Sequence, residues 1–244
     1  MRSVRVVIIA LMVLIFLLGM VIFLYPYIRK AVVDTGLRND AQTFLDWVTA
    51  ELWEDVLSPG EQEPTELPYG DLLEAMEAYN RQIWEEKQAG LCDPWSYQQP
   101  SFSLGDYGLD SEVFGVISIP ELDLELPLYL GATYQHMADG AAHLSQTSIP
   151  IGGMNTNSVI AGHRGWYGAS CFRYITELEP GDEVIVTNLW GTLTYRVADT
   201  QIIRPHEADQ ILIQEGRDLI TLLTCHPYAS GGKQRYLVIC ERAK

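Results

Sequence analysis

An uninterrupted apolar run near the N-terminus constrains what this chain can fold into more than any other feature. Residues Val6 to Leu24 carry no charge, whereas Arg2 and Arg5 precede them and Arg29 and Lys30 follow them. At about 1.5 Å per residue, a helix over this run matches the thickness of the hydrocarbon core of a bilayer. The run therefore predicts a single transmembrane helix that anchors the rest of the chain.

A cleaved signal peptide is the alternative interpretation of this run. It is disfavoured because the run is long for a signal peptide, and Tyr25, Pro26 and Tyr27 stand where small residues would mark a cleavage site. The two tyrosines instead suit the interface between lipid and water. Because the positive charges on the two sides are balanced, they do not fix the orientation of the helix.

Acidic charge is concentrated in one segment after the apolar run. The chain has a formal net charge of −16, and twelve Asp or Glu but a single basic residue, Arg81, lie between Asp46 and Glu86. A nucleic-acid partner is therefore not expected, because phosphate binding requires the opposite sign. A solvated helical face explains these carboxylates; a cation site is the alternative, but no liganding spacing supports it.

Two helices are predicted between the membrane segment and residue 90. The first covers Ile28 to Leu57 and stops at Pro59-Gly60, and the second is capped by Asp71 and runs to about Gln88. Apolar residues recur at three- and four-residue spacing along the second helix, which is typical of a packing surface. We expect both helices to form an N-terminal layer against the main domain.

The pattern changes at about residue 113 to short strands separated by Pro and Gly. Such strands without long intervening helices predict a mainly β fold, an antiparallel barrel or sandwich. Short helical insertions are predicted at Tyr134–His143 and Ala169–Glu177. The predicted strands are Phe114–Ile119, Leu124–Leu130, Ser158–Ala161, Glu183–Asn188, Thr192–Ile203, Leu219–Thr224 and Arg235–Ile239.

The last two predicted strands form a hairpin that carries two side chains suited to catalysis. Cys225 ends the first strand and Arg235 begins the second, so their Cβ atoms would lie about 5 Å apart if the residues are directly opposed. A guanidinium beside a thiol favours the thiolate, and its donors can hold an oxyanion that forms when the sulfur attacks a carbonyl. Taken alone, a cysteine on an apolar strand is more often an inert core residue.

A second segment with a candidate functional residue is Ser158 to Gly165. Its apolar strand ends in Ala161-Gly162, and His163 follows in a Gly-flanked loop. Rigid scaffolds commonly present functional residues in this way, although a histidine beside a glycine is also frequent in surface turns.

Taken together, these stretches resemble the sortase family. The resemblance is carried by the strand and its Gly-His-Arg-Gly loop, the Thr-Leu-Leu-Thr-Cys strand end and the arginine ten residues later. Residues 142–144, 147–153 and 178–182 extend the resemblance to nearly the whole chain beyond the membrane segment. The resemblance implies an eight-stranded β-barrel on the outer face of a Gram-positive cytoplasmic membrane. It also implies cysteine transpeptidation at a Leu-Pro-x-Thr-Gly-like sorting signal, cleaved between Thr and Gly.

Carried onto this chain, the resemblance assigns the nucleophile to Cys225, the general acid and base to His163, and the oxyanion-binding cation to Arg235. The residue chemistry agrees, because a thiolate, a proton shuttle and a fixed cation suffice to form and resolve a thioester. Thr224 is a candidate lining residue of the substrate groove. The cycle requires no metal and no cofactor.

The triplet Asp93-Pro94-Trp95, in a loop between the helices and the barrel, resembles the lid of class C sortases, the pilin polymerases. The resemblance implies that Asp93 pairs with Arg235 and that the ring of Trp95 covers Cys225. A plain loop whose tryptophan packs on the surface is the alternative. Many class C members have a second hydrophobic span after the barrel; none follows the last predicted strand here, so we expect a different membrane arrangement.

The acceptor amine is not determined by the sequence. A pilin lysine is the leading prediction, and a peptidoglycan cross-bridge amine, used by housekeeping or accessory sortases, is the alternative. A secreted thiol hydrolase of the papain type would need an Asn or Asp to orient the histidine and would have no use for Arg235. A non-enzymatic, anchored binding barrel would require all three catalytic positions to be coincidental.

The remaining histidines and cysteines are predicted to be structural or surface residues. His226, His136, His143 and His206 belong to this group, as does Cys240 in the core; a reversible Cys92–Cys225 disulfide is conceivable but disfavoured. The predicted organisation is a cytoplasmic tail (1–5), a transmembrane helix (6–28), a helical region (29–90), a lid and connection (91–112), and a catalytic barrel (113–244). The predicted partners of the chain are sorting-signal proteins or pilins, an acceptor amine and the membrane.

Overall fold

The fold was analysed in a computed structural model. It describes residues 2–53, 67–89, 91, 97, 99–165, 169–205, 207–229 and 232–243. Within these residues, eight strands close into a barrel in the spatial order β1-β2-β3-β4-β7-β8-β6-β5. The strands are β1 (Val113–Ile119), β2 (Leu124–Leu130), β3 (Ala141–His143), β4 (Thr156–Ala161), β5 (Glu183–Asn188), β6 (Gly191–Ile203), β7 (Asp218–His226) and β8 (Gln234–Arg242). This confirms the predicted eight-stranded barrel.

The N-terminal segment is one long helix, α1 (Arg2–Trp47), followed by a π-helical turn at Val48–Trp53. Pro26 lies inside α1, so the apolar run and the predicted first helix are continuous. The apolar side chains from Val4 to Ile28 are exposed, which in water would carry a large free-energy cost. The helix is long and apolar enough to span a membrane.

The second half of α1 packs on the barrel. Its buried side chains Leu37, Ala41, Phe44 and Val48 join the main core cluster, and the helix lies against β1 and β2. The membrane segment and the barrel are therefore connected by a helix that is itself part of the folded domain.

Helix α2 (Gly70–Glu85) completes the N-terminal layer. Asn80 is buried, and its amide both donates to the carbonyl of Ile149 (3.1 Å) and accepts from its N–H (2.7 Å). The predicted cap was wrong, because α2 begins after Tyr69, which has a left-handed backbone, and Asp71 is its second residue. The carboxylate of Asp71 accepts from the N–H of Leu72 instead.

The two predicted helical insertions are shorter than expected. Helix α3 covers only Tyr134–Asp139, and Ala141–His143 forms strand β3, which pairs parallel to β2 and antiparallel to β4. In the second insertion, the only helical turn among the described residues is at Ile175–Glu177. Pairing with distant strands rather than local periodicity sets the first of these segments.

Candidate active site

Strands β7 and β8 place Cys225 and Arg235 directly opposite each other, as the hairpin predicted. The guanidinium of Arg235 donates from Nη1 to the carbonyls of Gly232 (2.6 Å) and Gln234 (3.1 Å). A Cβ atom placed on Gly232 would lie 3.0 Å from Nη1 of Arg235 and 3.4 Å from Sγ of Cys225. The sulfur and the cation therefore face the same small space, which remains open because residue 232 is a glycine.

His163 is brought to this hairpin by the parallel pairing of β4 with β7, in which Ala161 lies beside Leu223. The next residue, Gly162, is bonded to β7 twice. Its N–H donates to the carbonyl of Leu223 (3.0 Å), and its carbonyl accepts from the hydroxyl of Thr224 (2.8 Å). The residue before His163 is thereby fixed to the strand that carries Cys225.

Thr224 has a defined structural role at this junction. Its side chain is buried, and its hydroxyl is bonded to Gly162, although the residue also lines the pocket beside Cys225. Its place before Cys225 made it a candidate groove residue, and the described contacts show that its β-branched side chain also joins β7 to β4.

One pocket of about 220 Å³ collects the three predicted catalytic side chains. Cys225, His163 and Arg235 lie on its wall, and the rest of the lining is mostly apolar. An apolar pocket with a few convergent polar groups is the usual form of a ligand site. The other lining residues are Tyr97, Ala132, Met137, Leu144, Ala161, Gly162, Leu223 and Thr224.

Burial lowers the pKa of His163, so its imidazole is neutral at neutral pH. A neutral imidazole can take a proton from a thiol or from an attacking amine. Arg235 supplies a permanent positive charge on the same pocket wall, because a guanidinium does not lose its proton in proteins. The pocket thus combines a thiol, a proton acceptor and a fixed cation.

A further contact that was not predicted joins Arg164, which follows His163, to His226, which follows Cys225. Arg164 Nη1 donates to Nδ1 of His226 (2.9 Å), and Nη2 donates to the hydroxyl of Thr176 (3.2 Å). Burial and the nearby charge of Arg164 lower the pKa of His226, which keeps Nδ1 available as an acceptor. The imidazole of His226 is thus engaged with Arg164, in agreement with its predicted bystander role.

The other described histidines and cysteines are packed away from the pocket. His143 is completely buried, its Nε2–H donates to the carbonyl of Thr147 at 3.2 Å, and burial lowers its pKa to about 4. Cys171 and Cys240 are buried thiols whose pKa values are raised by burial. Among the described cysteines, Cys225 alone is half-exposed.

The lid residues Asp93 and Trp95 lie outside the described residues, as do Cys92 and His206. Tyr97, two residues after Trp95, is described and lines the pocket. Burial raises its pKa, and Tyr134 and Cys225 add to the effect. Its ring packs edge-on against that of Tyr134 at 5.6 Å. The sequence analysis missed Tyr97, since a tyrosine in a polar connection carries no recognisable signal.

Comparison with known proteins adds independent evidence. The family model for the sortase domain matches residues 117–243, which is more than half of the chain. The chain belongs to the sortase family. Members of this family are cysteine transpeptidases. The matched range contains Cys225, His163 and Arg235.

Individual sortases are similar at moderate identity. Sortase D of Bacillus subtilis (strain 168) is 28% identical over 130 residues, which are 52% of this chain and 63% of that protein. Sortase C1 of GBS pilus island 1 is 29% identical, with a TM-score of 0.65, over 72% of this chain and 89% of the other. Sortase C-1 from Actinomyces oris is 34% identical, with a TM-score of 0.63, over 72% and 99%.

Both solved structures are class C sortases, which confirms the predicted resemblance to that class. The chain spans less than two thirds of the length of Sortase D from Bacillus subtilis.

Proposed function

We propose that this sortase is a cysteine transpeptidase that cleaves a Leu-Pro-x-Thr-Gly-like signal between Thr and Gly and transfers the acyl group to an amine. The observation that carries the proposal is the shared pocket of Cys225, His163 and Arg235, in which the sulfur and the guanidinium face one small space.

The first half of the reaction forms a thioester. His163, neutral at rest, takes the thiol proton of Cys225, and the sulfur attacks the carbonyl carbon of the signal threonine. Arg235 donates to the oxyanion of the tetrahedral intermediate. The C–N bond then breaks, and the imidazolium of His163 gives its proton to the departing glycine amine. The threonine acyl group remains on Cys225 as a thioester.

The second half resolves the thioester. An acceptor amine attacks the same carbonyl carbon, and neutral His163 takes the proton that this amine loses. The C–S bond breaks, and the sulfur leaves as a thiolate that is ready to be reprotonated. The product carries a new amide bond, and no oxidant or cofactor is consumed.

The acceptor in this proposal is a pilin lysine. Its support is the similarity to class C structures, one of which is described as belonging to a pilus island. A peptidoglycan cross-bridge amine is the competing acceptor. The chain would act on the outer face of a Gram-positive cytoplasmic membrane, anchored by the single spanning helix, because sorting signals and both acceptors are found there.

We also propose that residues 91–112 are the lid and connection, with Asp93 paired to Arg235 and Trp95 over Cys225. The support is the resemblance of Asp93-Pro94-Trp95 to the class C lid, together with Tyr97, which follows Trp95 by two residues and lines the pocket of Cys225.

The test is a ligation assay with the full chain in detergent. A sorting-signal peptide is incubated with a pilin-derived lysine peptide or with a cross-bridge mimic, and products are identified by mass spectrometry. We expect a ligated product with the lysine peptide, none with Cys225→Ala, and a faster reaction with Trp95→Ala because the lid is loosened. A product only with the cross-bridge mimic would favour the alternative acceptor, and none with either amine would contradict transpeptidation.

A further inference from the structure

The part of α1 that follows the membrane segment is bonded to the loop that begins at His163. Asp34 lies on the second half of α1, and its Oδ1 accepts from the backbone N–H of Ser170 at 2.7 Å. Its Oδ2 accepts from the hydroxyl of Ser170 at 2.8 Å and from Nζ of Lys30 at 2.7 Å. The two bonds between Asp34 and Ser170 connect residues 136 positions apart in sequence.

The carboxylate of Asp34 is ionised under assay conditions. Burial alone would raise its pKa, but the bonds from Lys30 and from the N–H and hydroxyl of Ser170 outweigh burial and lower it. Hydrogen bonds to an ionised acceptor are stronger than neutral ones. Asp34 therefore holds Ser170 through two charge-assisted bonds at any pH at which a transpeptidase would be assayed.

Ser170 lies in a loop that is closed at its base by His163. The N–H of Phe172 donates to the carbonyl of His163 at 3.0 Å, so the chain from residue 163 to 172 returns to its starting point. The ring of Phe172 is fully buried and lies so close to Gly162 that a Cβ there would meet ring atoms at 2.5 Å. A displacement of Ser170 would therefore be transmitted to the backbone of His163.

His163 is held from two sides. On one side, Gly162 is bonded to β7, which carries Cys225; on the other side, Ser170 is bonded to α1. The second of these attachments comes from the helix that leaves the membrane.

We propose that Asp34 is a positioning residue that fixes Ser170 and Phe172, and through the bond from Phe172 also the imidazole of His163, so that the membrane helix completes the active site. This inference rests on the proposed role of His163 in proton transfer. It implies that the catalytic unit begins before Asp34 and that a chain shortened beyond this residue has an incompletely ordered site.

The first test measures the loop directly, by amide hydrogen exchange of the full chain in detergent. In Asp34→Ala, exchange at Ser170 and Phe172 should accelerate by about tenfold or more, because the bonds that close the loop open more often. The matched control is Arg38→Ala. Arg38 lies one turn further along the same helix and also joins it to the barrel, through an ion pair with Asp123 at 3.1 Å.

The second test measures catalysis with the same variants. For Asp34→Ala we expect kcat to fall by about 10- to 100-fold, because small misplacement of a proton-transfer group is costly, while KM for the sorting peptide stays within about twofold. The rate at which a neutral reagent alkylates Cys225 should also fall, because a displaced His163 takes the thiol proton less efficiently. Arg38→Ala should keep kcat within about twofold.

Two further variants separate positioning from a general loss of structure. Ser170→Ala removes the hydroxyl but keeps the N–H, so its effect should be smaller than that of Asp34→Ala. The double variant should be no slower than Asp34→Ala alone, because both changes remove the same interaction. Additive losses, or equal losses in Asp34→Ala and Arg38→Ala, would overturn the proposal.

Failure of this inference and failure of the proposed function are distinguishable. If the unaltered chain ligates peptides but Asp34→Ala keeps its full kcat, Asp34 has no positioning role. If the unaltered chain ligates nothing, the proposed function fails, and hydrogen exchange still decides whether Asp34 fixes the loop; unchanged exchange at Ser170 and Phe172 overturns that role as well.

Discussion

At the scale of single residues, burial separates the groups that can react from those that cannot. Cys171 and Cys240 are buried thiols with raised pKa values, that of Cys171 reaching about 12, so neither supplies a thiolate at neutral pH. Cys225 is half-exposed beside a guanidinium. Burial similarly removes His143 from proton transfer, because an imidazole with a pKa of about 4 stays neutral.

The burial of His143 predicts an acid sensitivity of the fold. The unfolded chain takes up a proton near pH 6.5, whereas the folded chain resists it until about pH 4, so stability falls as the pH is lowered between these values. At pH 5 the cost from this residue is about 2 kcal/mol. Urea unfolding of the full chain in detergent, followed by tryptophan fluorescence at pH 7 and pH 5, measures it.

The comparison variant is His143→Asn, which cannot titrate. It starts from a lower stability, since it alters a buried side chain, but it should lose about 2 kcal/mol less than the unaltered chain between pH 7 and pH 5. Equal losses in the two proteins would show that His143 does not resist protonation.

At the scale of secondary-structure elements, the end of β4 is the critical junction of the site. Gly162 is bonded to β7 and faces the ring of Phe172, with no room for a side chain. Gly162→Ala would place a Cβ at 2.5 to 3.0 Å from ring atoms. We expect a loss of about 1–3 kcal/mol, because overpacking forces backbone shifts. The measurement is the thermal midpoint, together with kcat for ligation.

Gly105→Ala is the matched control for this change. A Cβ at Gly105 would meet only the hydroxyl of Ser103, at 3.9 Å, so we expect a change within about 0.5 kcal/mol. Phe172→Leu in the Gly162→Ala background should recover part of the lost stability, since the smaller side chain vacates the space. If both alanine variants are equally stable, the contact with Phe172 does not constrain this junction.

The elements that sequence reasoning missed share one physical cause. Strand β3 has only three residues and is defined by pairing with β2 and β4, so its pattern merges with the helix before it. The segment from Ala169 to Glu177 is held by Asp34, which is 136 residues away from Ser170, and by packing of Phe172 against Gly162. Longer strands such as β2 and β5 were predicted with correct bounds because turn residues frame them.

At the scale of the whole molecule, the sequence predicted the barrel and the convergence of its catalytic side chains. It did not predict the contacts that hold these side chains in place. The β7–β8 hairpin follows from local patterns, and the resemblance to sortases supplied His163 as its third group. Arg164, Tyr97 and Asp34 were missed because each acts through a contact that only the tertiary fold creates. In the same way, the continuity of α1 from the membrane segment into the core was visible only in the structure.

The exposure of the cysteines makes the membrane orientation testable on the whole molecule. A membrane-impermeant maleimide, applied to intact cells that express the full chain, reaches only thiols on the outer side. In a Cys92→Ala background we expect Cys225 to be labelled to the same extent in intact and permeabilised cells, since Cys171 and Cys240 are only 2% and 0% exposed. Adding Cys225→Ala should abolish the signal. Labelling that requires permeabilisation would place the barrel in the cytoplasm, where it would not meet exported sorting signals, and would thus contradict both the orientation and the proposed acceptors.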